Sequence, residues 1–292
     1  MKPASFEYLR PNSLEEAVGL LAQYGDRAKV IAGGQSLVPM MNFRFARPEF
    51  LVDINGLGEL DYCRIDKGIL RIGALARHAA LRDSNVIREA CPLMSEAYRY
   101  VAHATVRNRG TLCGSLCHAD PAAEMPAVAL ACGAAMVLRC ATGERVVPAS
   151  EFLQGLYATA ANPDELLVEV QIPVLDPQIG YAFEEMSVRK GDFALTLVAS
   201  LMALQGGRIK EAVVAYGGVS DRAIRLEAVE RRLVGQAPSH DLFVSVAADA
   251  AEAIDVNEDV HGDREYRREL IRSLTPRALA QAALRAQTCG AN

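Results

Sequence analysis

Along the first third of the chain, apolar positions recur with helical spacing and then with the spacing of short strands. In SLEEAVGLLAQY (13–24), Leu14, Ala17, Val18 and Leu21 share one helical face, Ser13 and Glu16 form a capping box, and Gly25 supplies the stop. KVIA (29–32) and FLVDI (50–54) read as strands, so a β-α-β unit is expected over roughly the first 55 residues. CRIDKGILRIGA (63–74) alternates around Lys67-Gly68 and reads as a hairpin. A helix is expected near 86–101, with Val86, Ile87, Ala90, Leu93, Met94 and Ala97 on one side. Another is expected over about 121–132, with Asp120 as N-cap and Pro121 at the first helical position. AAMVLRCATGERVVP (134–148) is a second hairpin, turning at Thr142-Gly143, and ELLVEVQIP (165–173) is a strong strand.

The Pro-containing stretch 173–180 marks a boundary. Beyond it, GYAFEEMSV, ALTLVASLMAL and RIKEAVVAYGGV read as three strands, the last two joined by Gln205-Gly206-Gly207. Helices are expected near 224–234, 241–254, 263–273 and 276–287, the last starting at Thr275-Pro276. The C-terminal third therefore reads as a small sheet with a helical bundle.

Composition narrows the field. With 292 residues, two or three compact units are expected, and 51% hydrophobic with 23% charged residues is ordinary for a globular protein. The net charge of −5 gives no support for a nucleic-acid partner. The N-terminus lacks a signal-type apolar core and no apolar run has the length of a membrane span, so a cytoplasmic protein is expected. The cysteines at 63, 91, 113, 117, 132, 140 and 289 form no C-x-x-C pair or zinc-finger set. Cys113, Cys117 and His118 make an incomplete metal site, and reduced thiols packed as small apolar groups are expected.

Two glycine-containing loops hold the candidate chemistry: Ala32-Gly33-Gly34-Gln35-Ser36 and Gly110-Thr111-Leu112-Cys113-Gly114-Ser115. Small residues let successive backbone N–H groups converge on an anion, and Ser36, Thr111 and Ser115 add hydroxyls. The sequence has neither a G-x-x-x-x-G-K-[ST] loop nor a G-x-G-x-x-G after a strand, which argues against P-loop and Rossmann nucleotide sites. A Gly-Gly pair alone is more often a plain turn.

AGGQSLVPMM and RNRGTLCGSLCHADPAAE, in this order and about eighty residues apart, resemble the FAD-binding medium subunits of molybdenum hydroxylases. Carbon monoxide dehydrogenase is the type, and the flavin domain of xanthine dehydrogenase is a more distant relative. The likeness extends to FEYLRPNSLEEAVGLL, GDFAL and EYRRELIRSL, so it covers essentially the whole chain. It implies an α+β fold: a two-part FAD-binding region of the vanillyl-alcohol-oxidase type (1–56 and 57–176), then a C-terminal domain (177–292) of a three-stranded antiparallel sheet and a helix bundle.

The resemblance also implies site residues. Ala32, Gly33, Gly34, Gln35 and Ser36, with Thr111, Cys113, Gly114 and Ser115, hold the FAD diphosphate and neighbouring atoms, and Val30, Ile31 and Leu37 flank the first loop. Glu124 falls where the family places an acid on the flavin's sugar-like chain, although an acid at a helix N-terminus is also favoured by the dipole. Asp120, Leu167, Asp192, Phe193 and Val101 match further positions near the cofactor. For these an N-cap (Asp120) or plain core packing (Leu167, Phe193, Val101) is the competing reading. Arg107 and Arg109 either neutralise phosphate or meet a partner, and His78, His103, His240 and His261 define no site alone. Two departures stand out: Cys113 replaces a usual glycine, and Glu185 stands where many relatives have lysine, so no flavin contact is assigned to it.

The implied function is that of an FAD-carrying electron-transfer subunit with no catalytic residue and no metal of its own. A small subunit would supply iron–sulfur clusters, a large one the molybdenum cofactor, and the whole would be a dimer of heterotrimers. The absence of a cysteine set for a cluster agrees with a partner as electron source. The alternatives are a stand-alone FAD-dependent reductase or oxidase, and an assembly subunit that has lost FAD, for which Cys113 is the one argument.

Overall fold

The computed structural model describes residues 1–289. The chain opens with strand β1 (Glu7–Leu9), helix α1 (Leu14–Tyr24), strand β2 (Ala28–Ile31), helix α2 (Leu37–Asn42) and strand β3 (Phe50–Asp53). The strands form a parallel sheet in the order β1-β3-β2, which adds an edge strand to the expected β-α-β unit. Ser13 caps α1, accepting from the Glu16 N–H at 3.1 Å, and buried Ala17, Val18 and Leu21 face the core. The Glu16 carboxylate reaches one residue beyond the cap and accepts from the Asn12 N–H at 2.7 Å.

The second part begins with the hairpin β4 (Cys63–Asp66) and β5 (Ile69–Gly73). Its turn residues Lys67 and Gly68 both have positive φ, as a tight two-residue turn requires. Short helices follow: α3 (His78–Arg82), α4 (Asn85–Ala90), α5 (Pro92–Ala97), α6 (Ala104–Arg107), α7 (Leu112–His118) and α8 (Glu124–Ala131). The single helix expected near 86–101 is thus two, broken at Cys91-Pro92. Pro92 has no N–H to give, excludes the helical conformation at Cys91, and serves as the first residue of α5. The expected cap of α8 is also corrected. Asp120 is not the N-cap; its carboxylate accepts from the Ala122 N–H at 2.9 Å in a turn, Pro121 precedes the helix, and Ala123 is the capping position. The hairpin β6 (Ala135–Cys140) and β7 (Gly143–Pro148), helix α9 (Ala149–Phe152), the small hairpin β8 (Leu153–Gly155) and β9 (Ala158–Thr159), and strand β10 (Leu166–Pro173) complete this part. Its sheet runs β4-β5-β10-β6-β7, with β10 central.

The C-terminal part is an antiparallel sheet of β11 (Gly180–Ser187), β12 (Ala194–Gln205) and β13 (Arg208–Gly217), with a two-residue edge strand β14 (Ile224–Arg225) beyond the three expected. Helices α10 (Glu227–Leu233), α11 (His240–Ala253) and α12 (Arg264–Cys289) follow. The two helices expected over 263–273 and 276–287 are one. Pro276 lies buried inside α12, where packing of the helix on β11 and β12 overrides the proline cost of about 3 kcal/mol. One face of the sheet (Ala182, Val198, Met202, Val214, Tyr216) packs in the cluster with α11 and α12, while Phe183, Leu197, Ala199, Val213 and Ala215 join the larger core of the first two parts. Covering on both faces explains why β12 reads as an almost unbroken apolar run. No helix among the described residues is long and apolar enough to cross a membrane.

Candidate functional site

The two glycine loops touch. Gly33 packs so closely on the second loop that a Cβ there would overlap the Arg109 carbonyl oxygen and stand 2.6 Å from the Gly110 Cα. Gly34 takes φ +70°, a conformation that favours glycine. A polar strap fastens the pair. Asn55 Nδ2 donates to the Ala32 carbonyl at 2.8 Å, and Arg77 donates both to Asn55 Oδ1 at 2.5 Å and to the Arg109 carbonyl. Residues 76–78 run beside the second loop, with His78 N–H to Gly110 O at 3.0 Å.

This junction is electropositive. The backbone N–H groups of Gly33, Gly34, Gln35, Ser36, Thr111 and Cys113 have no acceptor among the described residues. Burial, and then the like charge of Arg109, depress the Arg77 pKa, so two guanidinium groups stand near one another. Exposed Arg109 has no acid partner among the described residues. Arg107, by contrast, is spent locally on the carbonyls of Val101 (2.9 Å) and Ala102 (2.5 Å). An anion such as a diphosphate meets both requirements of the junction, charge and N–H donors.

Thr111 caps α7, accepting from the Gly114 N–H at 3.1 Å, and a Cβ at Gly114 would stand 2.8 Å from its Oγ1. Cys113 has helical rather than left-handed geometry; it is buried, with its sulfur 3.9 Å from the Ile72 carbonyl. It points into the core and does not call for the conformation of the glycine it replaces. Ser115 is half-buried on the same helix.

A cleft of about 840 Å³ begins at Gln35 and Ser36 of the first loop and runs along the seam between the first two parts and the C-terminal sheet; Gly33, Gly34, Thr111, Cys113, Gly114 and Ser115 do not line it. Gln35 and Ser36 line one end; Asp120, Glu124, Asp192 and Phe193 line it further on, with His103, Tyr157, Asp259, His261 and Arg267. Val30, Ile31, Ala32 and Leu37 flank the first loop without lining the cleft. Val101 and Leu167 are buried and do not line it either, Leu167 lying in central β10. Gly191, at φ +90°, rests on His103, and the His103–Asp192 pair (3.9 Å) holds the 188–193 segment beside α6. At the tip of the β8–β9 hairpin, Tyr157 stacks on His118 with centroids 4.9 Å apart, and its hydroxyl lies 3.5 Å from Asp120 Oδ2. Burial pushes the His118 pKa down. Arg267 is 3% exposed; it donates to the carbonyls of Leu195 (2.6 Å) and Gly218 and pairs with Asp259 at 2.8 Å. Phe193 is largely exposed, not core.

Glu124 is 6% exposed at the start of α8 and has no side-chain partner among the described residues. Burial lifts its pKa to about 7, its own backbone N–H opposing the rise and Asp120 adding to it. A carboxyl bonded only to its own backbone N–H, on the wall of a cleft, fits a polyhydroxyl ligand that donates to it. The volume lies in the range of small-molecule sites. The residues thus fit FAD: donors and cations at the loop junction for diphosphate, a mainly apolar cleft for a ring system, and an acid on its wall. Asn55, Arg77, Tyr157 and Arg267 are absent from the sequence reading, because nothing local distinguishes them; His118 entered it only as part of an incomplete metal site, and only the contacts place it beside Tyr157.

Residues 4–175 match the family described as "FAD binding domain in molybdopterin dehydrogenase", and residues 181–282 match "CO dehydrogenase flavoprotein C-terminal domain". The chain is 42% identical over 284 residues to caffeine dehydrogenase subunit beta of Pseudomonas sp. (strain CBB1), covering 97% of this chain and 96% of that one. It is 38% identical over 283 residues to the carbon monoxide dehydrogenase medium chain of Hydrogenophaga pseudoflava, covering 97% and 98%. Its structure superposes on carbon monoxide dehydrogenase from Hydrogenophaga pseudoflava lacking the Mo-pyranopterin moiety with a TM-score of 0.95 at 38% identity, over 98% of this chain and 99% of that chain. The chain belongs to the family of FAD-binding medium subunits of molybdenum hydroxylases, of which carbon monoxide dehydrogenase is the type.

Proposed function

We infer that this chain is the FAD-carrying electron-transfer subunit of a multi-subunit molybdenum hydroxylase. It holds FAD where electrons from the iron–sulfur clusters of a small partner pass to an external acceptor, while a large partner carries the molybdenum cofactor. The observation that carries this reading is the packing of Gly33 against Arg109 and Gly110, which joins the two donor-rich loops, the first of which reaches the cleft through Gln35 and Ser36. Residues 1–56 and 57–176 form the two halves of the FAD-binding region and 177–292 the C-terminal domain.

Within this reading the chain's own residues bind and orient. The N–H groups of residues 33–36, Thr111 and Cys113, with Arg77 and Arg109, hold the diphosphate. Glu124 accepts from the sugar-like chain. Asp192 and Phe193 border the ring region, and Val30, Ile31, Leu37, Val101 and Leu167 support the loops and walls from behind. FAD, when bound, supplies the electron exchange; the protein supplies position and electrostatics.

Beside the first loop, Phe43 and Phe45 are 63% and 82% exposed, with Val38 nearby in sequence on α2, and they form the surface on which the small partner docks. The assembly is a dimer of heterotrimers in the cytoplasm, a compartment in which thiols such as Cys91 and Cys132, 3.5 Å apart and unbonded, stay reduced.

The test is co-expression with candidate partner chains. The chain should purify yellow with bound FAD, and substrate should bleach that flavin only in the three-subunit complex. Failure of the purified chain to bind FAD, or bleaching by organic substrate in the isolated chain, would overturn the reading.

A further inference from the structure

Asp53 closes strand β3 opposite Ile31, the last residue of β2 before the first glycine loop. Its carboxylate takes three donors. Oδ1 accepts from the Asn55 backbone N–H at 2.9 Å and from Asn55 Nδ2 at 2.5 Å, and Oδ2 accepts from the Tyr8 hydroxyl. Tyr8, on the edge strand β1, pairs with Leu51, two residues before Asp53, so Tyr8 and Asp53 share one face of the sheet. Burial acts to raise the Asp53 pKa, but the bonds from Tyr8 and Asn55 outweigh it and hold the carboxyl below its usual 3.8. At neutral pH both oxygens therefore only accept.

Asn55 spans the two glycine loops. Its Nδ2 donates to the Ala32 carbonyl of the first loop at 2.8 Å, and its Oδ1 accepts from Arg77, which also donates to the Arg109 carbonyl at the second. These partners fix which way the amide faces, because the Asp53 carboxylate and the Ala32 carbonyl only accept and the guanidinium only donates. A flipped amide would set oxygen against oxygen at two contacts and N–H against N–H at the third. Asp53 adds a clamp to that choice. One carboxylate oxygen holds both the main chain and the side chain of Asn55, so the amide is folded back over its own backbone, although Asn55 is only half-buried. Without that oxygen, the contacts to Ala32 and Arg77 alone hold the side chain, with water in reach to replace each.

We propose that Asp53 is a positioning residue of the FAD site: its carboxylate, anchored by Tyr8, clamps Asn55 in the conformation that ties the two glycine loops together around the diphosphate. The purpose rests on the FAD reading; the clamp itself does not. Asp53 does not line the cleft and acts through Asn55. What the position needs is an acceptor oxygen rather than a charge. Asp53 interacts electrostatically with Arg77, and a negative charge there opposes a diphosphate instead of attracting it, so charge alone gives no reason for an acid at 53.

Two measurements test this on the full chain: the FAD dissociation constant, and amide hydrogen exchange without FAD. Asp53→Ala should raise Kd about tenfold or more, as loss of a charge-assisted hydrogen bond does. Asp53→Asn keeps Oδ1 and turns its amide nitrogen toward Tyr8, whose hydroxyl can accept, so it should stay within about threefold of wild type. The double variant Asp53→Ala/Asn55→Ala should bind no more weakly than Asn55→Ala alone, because the first residue acts through the second. In the FAD-free chain, Asp53→Ala should speed exchange of the His78 N–H, bonded to Gly110 O at 3.0 Å, and leave the Val214 N–H, bonded to Glu230 Oε1 at 3.0 Å in the C-terminal part, as in wild type. General loss of stability would move both amides. Unchanged His78 exchange in Asp53→Ala would sink the clamp whether or not FAD binds. Faster His78 exchange with wild-type FAD affinity, additive losses in the double variant, or an Asp53→Asn as weak as Asp53→Ala would overturn the positioning role and leave the FAD reading standing. A wild type that binds no FAD would remove that reading and the role with it, and His78 exchange would then decide the clamp alone. If Asp53→Ala fails to fold, Asp53→Glu takes its place, keeping the charge but moving the oxygens one methylene out: it should lose FAD affinity where Asp53→Asn keeps it, and the reverse order would overturn the proposal.

Discussion

Gly33→Ala is the sharpest perturbation of the loop junction. Gly33 does not have a left-handed φ, so alanine carries no backbone penalty there and acts only through the added methyl. That methyl would overlap the Arg109 carbonyl and stand 2.6 Å from the Gly110 Cα; reaching the near edge of ordinary contact, 3.4 Å, requires about 0.8 Å of parting at the Cα and more at the nearer carbonyl oxygen. The obstructing atoms are main chain, and the second loop is tied to Arg77 and His78, so no flexible side chain can swing away. Overpacking of this kind costs about 1–3 kcal/mol. If that cost falls on the FAD complex, Kd rises about 5- to 140-fold; if it falls on the free chain, the melting temperature drops by several degrees.

FAD affinity is read by quenching of flavin fluorescence, and stability by thermal denaturation with and without FAD. Gly58→Ala is the control, since a Cβ there meets nothing within 4 Å and φ is not positive. The variant at 33 should lose affinity, stability or both, and the control neither. If Gly33→Ala bound FAD within twofold of wild type and melted at the same temperature, the two loops would not be in the contact described, and the site would have to be rebuilt elsewhere.

Arg77→Met removes the strap between Asn55 and the Arg109 carbonyl and one of the two cations; with charged hydrogen bonds worth about 1.5–3 kcal/mol each, FAD affinity should fall tenfold or more in the same fluorescence titration. Phe45→Ser should leave the melting temperature of the isolated chain unchanged, because the ring is largely exposed, while weakening co-purification with an iron–sulfur partner; unchanged complex recovery would move the docking surface elsewhere. Glu165 accepts from Arg145 at 2.6 and 2.8 Å and from the Asn162 N–H at 2.7 Å, and Arg145 in first place holds its pKa below the usual 4.5. A depressed carboxylate stabilises above its unfolded pKa and loses that contribution as pH falls through its folded value, so Glu165→Gln should melt below wild type at pH 7, with the gap closing below about pH 4.5. A gap that stayed constant into acid would show that the ion pair contributes nothing.

What the sequence revealed depended on how local the cause is. Gly33 and Gly34 were legible because a bare backbone is a property of residue type. That Gly33 meets Gly110 was not legible from spacing; it came through the resemblance, since contact across about eighty residues is set by tertiary packing. Pro92 could have been read as a helix break, because its effect on Cys91 is local. Pro276 gave the opposite error: the same chemistry is present, but burial of α12 on the sheet outweighs it. Asp120 looked like an N-cap and acts two residues away in a turn, shifting α8 to begin at Glu124. Asn55 and Arg77 carry no sequence signal at all, being ordinary polar residues until the fold aligns them.

The seam between the first two parts and the C-terminal sheet is held by its backbone. Main-chain bonds lock the segment before α8 to the sheet: Ala194 N–H to Ala122 O at 3.2 Å, and Gly218 N–H to Pro121 O at 2.7 Å. Gly218, at φ +76°, leaves no room for a side chain against the carbonyls of Ala194 and Leu195, and Arg267 ties Leu195 and Gly218 together from the other side. Glu124 follows directly on this locked segment, in a helix all of whose residues are buried, and Glu185 sits on a strand paired along its length with β12. Neither backbone can retreat without breaking bonds that join the two halves of the cleft.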